Sequence, residues 1–245
     1  MRKRSLVIAL LESAASAVER LLLPSALTVL GDEKSRRCSS GAVYSRSMPA
    51  TAPHLSAFVL AGGKSTRMGT DKAFVVLQGR KLVERALALA RSVTTTVSIV
   101  GDASKFACFG PVVEDIFPGC GPLGGIHAAL RRSETDLNLI LAVDVPFVST
   151  ALLHYLLRRA DESPAALVTV PRTGQRWQPL CAVYRRKFRD LAEPSLRAGR
   201  YKIDALFDEK RTQVITGEQL LAAGFSPDLF TNVNTPGDLA AASER

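Results

Sequence analysis

Paired cysteines are missing from this sequence: Cys38, Cys108, Cys120 and Cys181 are scattered, with no C-x-x-C pair. His54, His127 and His154 are isolated too, so no histidine stands at ligand spacing. Neither a zinc site nor a disulfide framework is indicated, and reduced thiols in a cytoplasmic setting fit this usage. Aromatic residues amount to 6%. With no helix-turn-helix pattern and no zinc-finger spacing, nucleic-acid binding has no support. Long apolar runs without charges are also lacking. The one candidate membrane window, near the N-terminus, contains Glu12, Glu19 and Arg20, so no membrane span is expected.

What is present is the composition of a globular protein, 47% hydrophobic and 22% charged over 245 residues. That supports one α/β domain with a spare segment attached. The formal charge is +9, and residues 1–54 hold eight Lys/Arg against four acids, so +4 sits there and +5 elsewhere. A mild cationic excess suits a protein that handles phosphorylated small molecules. Residues 1–50 differ in character: a basic start, an apolar stretch from Leu6 to Leu30, then a polar run from Gly31 to Ser47. Glu12 interrupts what would otherwise resemble a secretory signal. This segment is expected to be a poorly ordered or partly helical extension, absent from the mature protein if Met48 is the true start. The folded domain is expected over residues 55–243.

From Ala57 to Leu60 a short apolar run meets a glycine-containing loop, and apolar residues from Lys81 to Ser92 follow helical spacing. The order repeats with strands at Thr96–Val100, Val112–Val113, Leu137–Val143 and Ala166–Val170, and helices at about Leu123–Arg131 and Thr150–Arg159. The last third is less regular: a strand near Leu180–Tyr184, helices near Arg185–Arg197 and Tyr201–Phe207, and a closing helix after Pro236. Such alternation predicts a single Rossmann-like three-layer α/β domain with a mostly parallel, helix-covered sheet. Ligands of such sheets bind beyond the carboxyl ends of the strands, so the chemistry should lie in the loops there.

Three loops stand out. In LAGGKSTRMGTDK, residues 60–72, glycines let the backbone approach a ligand closely and aim N–H groups at phosphate oxygens, while Arg67 and Lys72 supply positive charge. Gly63-Lys64-Ser65 copies the end of a Walker A loop, but Phe58 stands where that loop needs glycine, which excludes a P-loop kinase or GTPase. The second loop, Val113–Gly125, holds two prolines and four glycines and can wrap a base or ribose. Asp115 within it is placed to accept hydrogen bonds from a ligand, or alternatively to cap a turn. The third is Asp144, after the apolar strand and before Pro146. A lone carboxylate there suits Mg²⁺, which needs few protein oxygens when a triphosphate provides others; a turn cap is the alternative.

Together LAGGKSTRMGTDK, GPLGG at 121–125, LAVDVPF around Asp144, QPLCAVY at 178–184 and NVNTPGDL at 232–239 resemble the molybdenum cofactor guanylyltransferase family, over roughly residues 56–241. The resemblance implies transfer of GMP from GTP to molybdenum-loaded molybdopterin with release of pyrophosphate, aided by Mg²⁺. It further implies GTP contacts at Leu60, Ala61, Gly62, Gly63, Lys72, Asp115 and Asp144, the metal at Asp144, a basic residue near the phosphates at Arg67, and a pterin-side segment at Asn232 and Asn234. Arg67, Lys72 and Asp144 would then be the catalytic set. One family contact falls where this chain has Gly101 and Asp102 rather than Asn. Molybdopterin-inserting proteins and molybdoenzyme chaperones are the protein partners this family suggests. A cytidylyltransferase for the same pterin, a sugar-1-phosphate transferase and a non-catalytic molybdopterin carrier are the rival readings.

Overall fold

Alternation of side chains decides which face each strand serves. In β1 (Leu55–Leu60) Ala57 and Val59 enter one core while Phe58 and Leu60 enter the other. The same split recurs in β6 (Leu137–Ala142), where all six residues are buried and Leu139 and Leu141 oppose Ile140. A strand that is apolar on both faces must be covered on both, and this sheet is. The protein is represented by a computed structural model that describes residues 55–62 and 71–244. The expected extension at 1–50 lies outside the described residues.

Beyond the first loop, Lys72–Phe74 forms a 3-10 turn leading to a small hairpin of β2 (Val76–Leu77) and β3 (Arg80–Lys81). Gln78 and Gly79 join the two strands with φ of 50° and 79°, the left-handed pair that a tight two-residue hairpin needs. Then follow α1 (Leu82–Arg91), β4 (Val97–Val100), α2 (Ala103–Phe106), β5 (Val112–Val113) and α3 (Gly121–Arg132). After β6 come α4 (Thr150–Asp161), β7 (Val168–Thr173), β8 (Arg176–Trp177), β9 (Cys181–Arg185) and α5 (Arg189–Arg197). The chain closes through β10 (Thr212–Thr216), α6 (Gly217–Ala222) and α7 (Pro236–Ser243). Helices α1 and α4 cover one face of the sheet, and α3 and α5 cover the other.

The described strands form a sheet in the order β10-β7-β9-β6-β1-β4-β5, with β8 paired to β7. Strands β1, β4, β5 and β6 pair in parallel, as do β7 and β10. β9 is the exception, inserted antiparallel between β6 and β7. The sequence alternation predicts parallel pairing but not this reversal. It brings Gln178 to Leu180, just before β9, to the edge where the parallel strands end, and Ala142 N donates to Leu180 O at 2.8 Å. Two further differences concern the last third. The helix expected at Tyr201–Phe207 is only a 3-10 turn at Asp204–Leu206, and edge strand β10 is absent from the sequence reading. Thr212–Thr216 buries one of its five residues, so it lacks an apolar run.

The opposite end of the sheet is tied by a buried polar cluster. Thr135 Oγ1 lies 2.9 Å from both Ser56 Oγ and Leu137 O, and Asn138 Nδ2 donates to Asp136 O at 2.9 Å. Thr135→Val should leave partners unsatisfied at a cost of about 1–3 kcal/mol. The check is a lower denaturant midpoint with unchanged slope and unchanged nucleotide binding, because the cluster sits at the start of β1 and β6.

Candidate functional site

Asp144 follows β6 by two residues, and two backbone bonds hold its neighbourhood. Val143 N donates to Leu60 O at 3.2 Å, and Val233 N donates to Asp144 O at 3.0 Å. The second bond delivers the late segment to the carboxylate. Asp144 Oδ2 accepts from Lys72 Nζ at 2.8 Å and from Asn232 Nδ2 at 3.2 Å. Lys72 Nζ also donates to Asn234 Oδ1. Three stretches far apart in sequence thus converge on one ion pair whose side chains are 15% and 19% exposed. Partial burial lowers the local dielectric, so these charges act on a ligand more strongly than surface charges would.

Each arm of this cluster is pre-set by its own local structure. Asp71 caps the Lys72–Phe74 turn, its Oδ1 accepting from Ala73 N at 3.3 Å while its Oδ2 pairs with Lys105 Nζ at 2.8 Å. That pairing raises the Lys105 ammonium above its ordinary value. Asp71 therefore orients Lys72 without touching the ion pair, a role not separated out in the sequence. At the other arm Asp238 accepts from Asn234 N and Thr235 N, each at 2.9 Å, and Thr235 Oγ1 caps Asp238 N at 3.1 Å. This capping box starts α7, fixes the Asn232–Asn234 loop and holds the Asp238 carboxyl below the usual carboxylate range.

The remaining predicted residues divide. Leu60 and Ala61 are buried in the core, and Gly62 is exposed at the edge. The N–H groups of Ala61 and Gly62 both donate to Val100 O, at 3.0 and 3.2 Å. In this state they serve the sheet rather than aim at a phosphate, contrary to the expectation for this part of the loop. Gly63 and Arg67 lie outside the described residues. Asp115, two residues past β5, rests against α3: a Cβ on Gly125 would lie 3.6 Å from its Oδ1. Although Asp115 is exposed, surrounding protein withdraws solvent from its carboxyl and raises it above the usual range. A Cβ on Gly124 would meet Phe117 O at 2.9 Å, so the loop packs onto α3 only because that position has no side chain. Asp102 Oδ1 is spent on Ser104 N at 2.8 Å and Ser104 Oγ at 2.6 Å, capping α2.

No group of three or more His, Cys, Asp or Glu converges as a metal site among the described residues. One observation bears on a cation nonetheless. Asp144 Oδ1 is buried and has no hydrogen-bond partner, a costly condition for a carboxylate oxygen unless something positive meets it. The cysteines are unpaired among the described residues, and burial pushes the Cys181 thiol up to about 12, leaving it inert as a nucleophile. No helix among the described residues is long and apolar enough to cross a membrane.

His127 is structural. It is buried in α3, with Nε2 3.4 Å from Glu193 Oε2 and its ring edge-on to Phe117. Desolvation lowers its imidazole below the ordinary 6.5, outweighing Glu193 and reinforced by Arg131 and Arg197. The folded protein therefore resists a proton that the unfolded chain accepts. Stability should fall as pH drops below about 6.5, and continue falling until the lower folded value is passed. Melting curves between about pH 7.5 and 5.5 should show this slope, and His127→Gln should flatten it.

With this geometry in view, comparisons with known proteins can be stated. Residues 57–214 match the sequence model of the MobA-like NTP transferase domain. A protein named probable molybdenum cofactor guanylyltransferase from Pelotomaculum thermopropionicum is 37% identical over 186 residues, 75% of this chain and 89% of that one. Another of that name from Carboxydothermus hydrogenoformans is 31% identical, covering 76% and 93% of the two chains. The crystal structure of molybdopterin-guanine dinucleotide biosynthesis protein A from Archaeoglobus fulgidus superposes with a TM-score of 0.68 at 29% identity, covering 77% of this chain and 97% of that one.

Proposed function

This chain belongs to the MobA-like NTP transferase family, and from that membership we propose that it transfers GMP from GTP to the terminal phosphate of molybdenum-loaded molybdopterin. Pyrophosphate is released and the guanine dinucleotide form of the cofactor results. The observation that carries this reading is the Lys72–Asp144 pair at the carboxyl edge of the parallel strands, bridged to Asn232 and Asn234. It is a charged, partly desolvated centre that among the described residues brings no Ser, Cys or His into the hydrogen-bonded cluster. Nucleotidyl transfer to a phosphate needs none of them. The acceptor is already anionic, and the protein has mainly to align it and offset charge on the departing pyrophosphate.

Lys72 meets the triphosphate as a fixed cation. Asp144 and Asn234 restrict its ammonium before any ligand arrives, so little freedom is lost on binding. The unpartnered Asp144 Oδ1 fits a hard divalent cation, and Mg²⁺ held there would lend charge neutralisation to the phosphates. Asp115 supplies an acceptor for N–H or O–H groups of the nucleotide. The reaction is assigned to the cytoplasm, where unpaired thiols persist. Molybdopterin-inserting proteins and molybdoenzyme chaperones are the partners that this chemistry calls for.

A nucleotide panel tests the reading. With Mg²⁺ and molybdenum-loaded molybdopterin, the purified chain should release pyrophosphate from GTP and poorly from CTP or ATP. Preference for CTP would move the chain to the cytidylyl branch. Binding without pyrophosphate release would leave a carrier.

A further inference from the structure

Helix α1 carries Leu82, Arg85, Ala86 and Leu89 at the i, i+3, i+4, i+7 spacing of a single face. Three of the four are what a core stripe asks for, and an arginine stands at the second place. That face lines a pocket of about 330 Å³ together with Leu141 and Ala142 of β6 and with Val143, Val145 and Val148 of the loop that follows. Such a volume admits one small molecule. Lys72, Asp144, Asn232 and Asn234 are not among the residues lining it, so the pocket is a space distinct from the reactive centre.

Charge in this pocket is of one sign. Arg80, from β3, and Arg85 both line it, and among the described residues no Asp or Glu does. Other arginines of the domain stand against carboxylates, Arg185 on Asp136, Arg197 on Glu193 and Arg211 on Asp208. Arg85 has no such partner among the described residues. Its Nε is buried without an acceptor, and Nη1 reaches Leu77 O at 3.5 Å, the outer limit of a hydrogen bond. A guanidinium left short of acceptors beside an apolar space is a cost that an acceptor arriving in that space removes. Thr150 does not supply that acceptor, because its Oγ1 is engaged with Ser92 Oγ at 2.9 Å.

We propose that this pocket binds a small organic carboxylate, its anionic end on the Arg80 and Arg85 guanidiniums and its apolar body against Leu82, Leu89, Val145 and Val148. The planar fork of a guanidinium matches the two oxygens of a carboxylate, and a rotation of the Arg85 head toward the pocket brings its N–H edge to them. The setting selects a single negative charge. An ionised group loses hydration on entering an apolar space, and a phosphate dianion loses more than a carboxylate does, with few donors besides the two arginines to replace it. A neutral molecule of the same shape leaves the guanidiniums as short of acceptors as before.

The test titrates the full chain against para-fluorobenzoate at neutral pH and follows the fluorine NMR line, a readout that needs no turnover and stands whether or not the chain transfers GMP. The line should broaden saturably with the wild type. Arg85→Met should weaken binding about tenfold, the loss of one charged hydrogen bond, and para-fluorobenzamide should bind more weakly than the acid by a like factor. Ala88 lines the pocket from an exposed position, so Ala88→Leu fills the space without crowding the core and should abolish binding at an unchanged melting temperature. Lys72→Met should leave binding as it was. A wild type that shows no saturable broadening overturns the site, as does binding that survives in both Arg85→Met and Ala88→Leu. Loss of binding in Lys72→Met would place the anion at the ion pair and overturn it too. Displacement of the probe by an equal concentration of inorganic phosphate would overturn the choice of a carboxylate.

Discussion

Asp144→Ala is expected to reduce turnover by on the order of 10³-fold, the scale seen when a group acting on transition-state charge is removed. Three losses coincide at this residue. Oδ2 no longer holds the Lys72 ammonium at 2.8 Å or the Asn232 amide at 3.2 Å, and the unpartnered Oδ1 is gone as a seat for a cation. Asp144→Asn separates them. It keeps the shape and an oxygen for Asn232 but removes the negative charge, so it should be nearly as slow as alanine if charge is what matters. Neither change should lower the melting temperature by more than about 3 °C, roughly the effect of 1 kcal/mol in a domain of this size, since relieving an unsatisfied carboxylate offsets the lost ion pair. The measurements are pyrophosphate release under single-turnover conditions and thermal unfolding. Asparagine with full activity would remove Asp144 from the reaction.

Lys72→Met should have the second largest effect, about 10²-fold to 10³-fold in kcat/KM for GTP. Methionine keeps the length and apolar stem, so the 3-10 turn capped by Asp71 should persist. Only the charge is lost, and Asp144 is left without its cation. Lys72→Arg should recover part of the activity, limited because a planar fork does not occupy the place of a compact ammonium. Asn234→Ala is a graded control. It frees Lys72 from one of its two named side-chain partners but leaves the charge, so a loss nearer tenfold is expected, about what one charged hydrogen bond contributes. A loss in Asn234→Ala equal to that in Lys72→Met would show that the orientation of the ammonium, rather than its charge, governs the step.

Much of this was legible in the residues. The fully apolar run at Leu137–Ala142 becomes the central strand β6, and Asp144 beyond it stands where a parallel sheet presents its ligand residues. GPLGG announces its backbone shape through glycine, with Gly121 at a φ of 68° and Gly124 packed where a Cβ would meet Phe117 O. The edge strand β10 escaped because a half-exposed strand needs no apolar alternation, and the Tyr201–Phe207 segment has helical spacing without enough buried contacts to extend beyond one turn.

What the sequence alone determined is the set of local shapes and the chemical inventory. Periodicity dictates strand or helix because side-chain burial follows the 2.0 and 3.6 residue repeats, and a chain without a His or Cys constellation already points to chemistry by charge. What only the tertiary structure decided is which distant groups meet. Lys72 and Asp144 are 72 positions apart, and Lys72 and Asn234 are 162 apart. The reversed strand β9 creates an edge that pairs with β7. No local pattern encodes these meetings, because they follow from the order in which strands pair, and that order is set by loop closure and the fit of two covered faces over the whole domain.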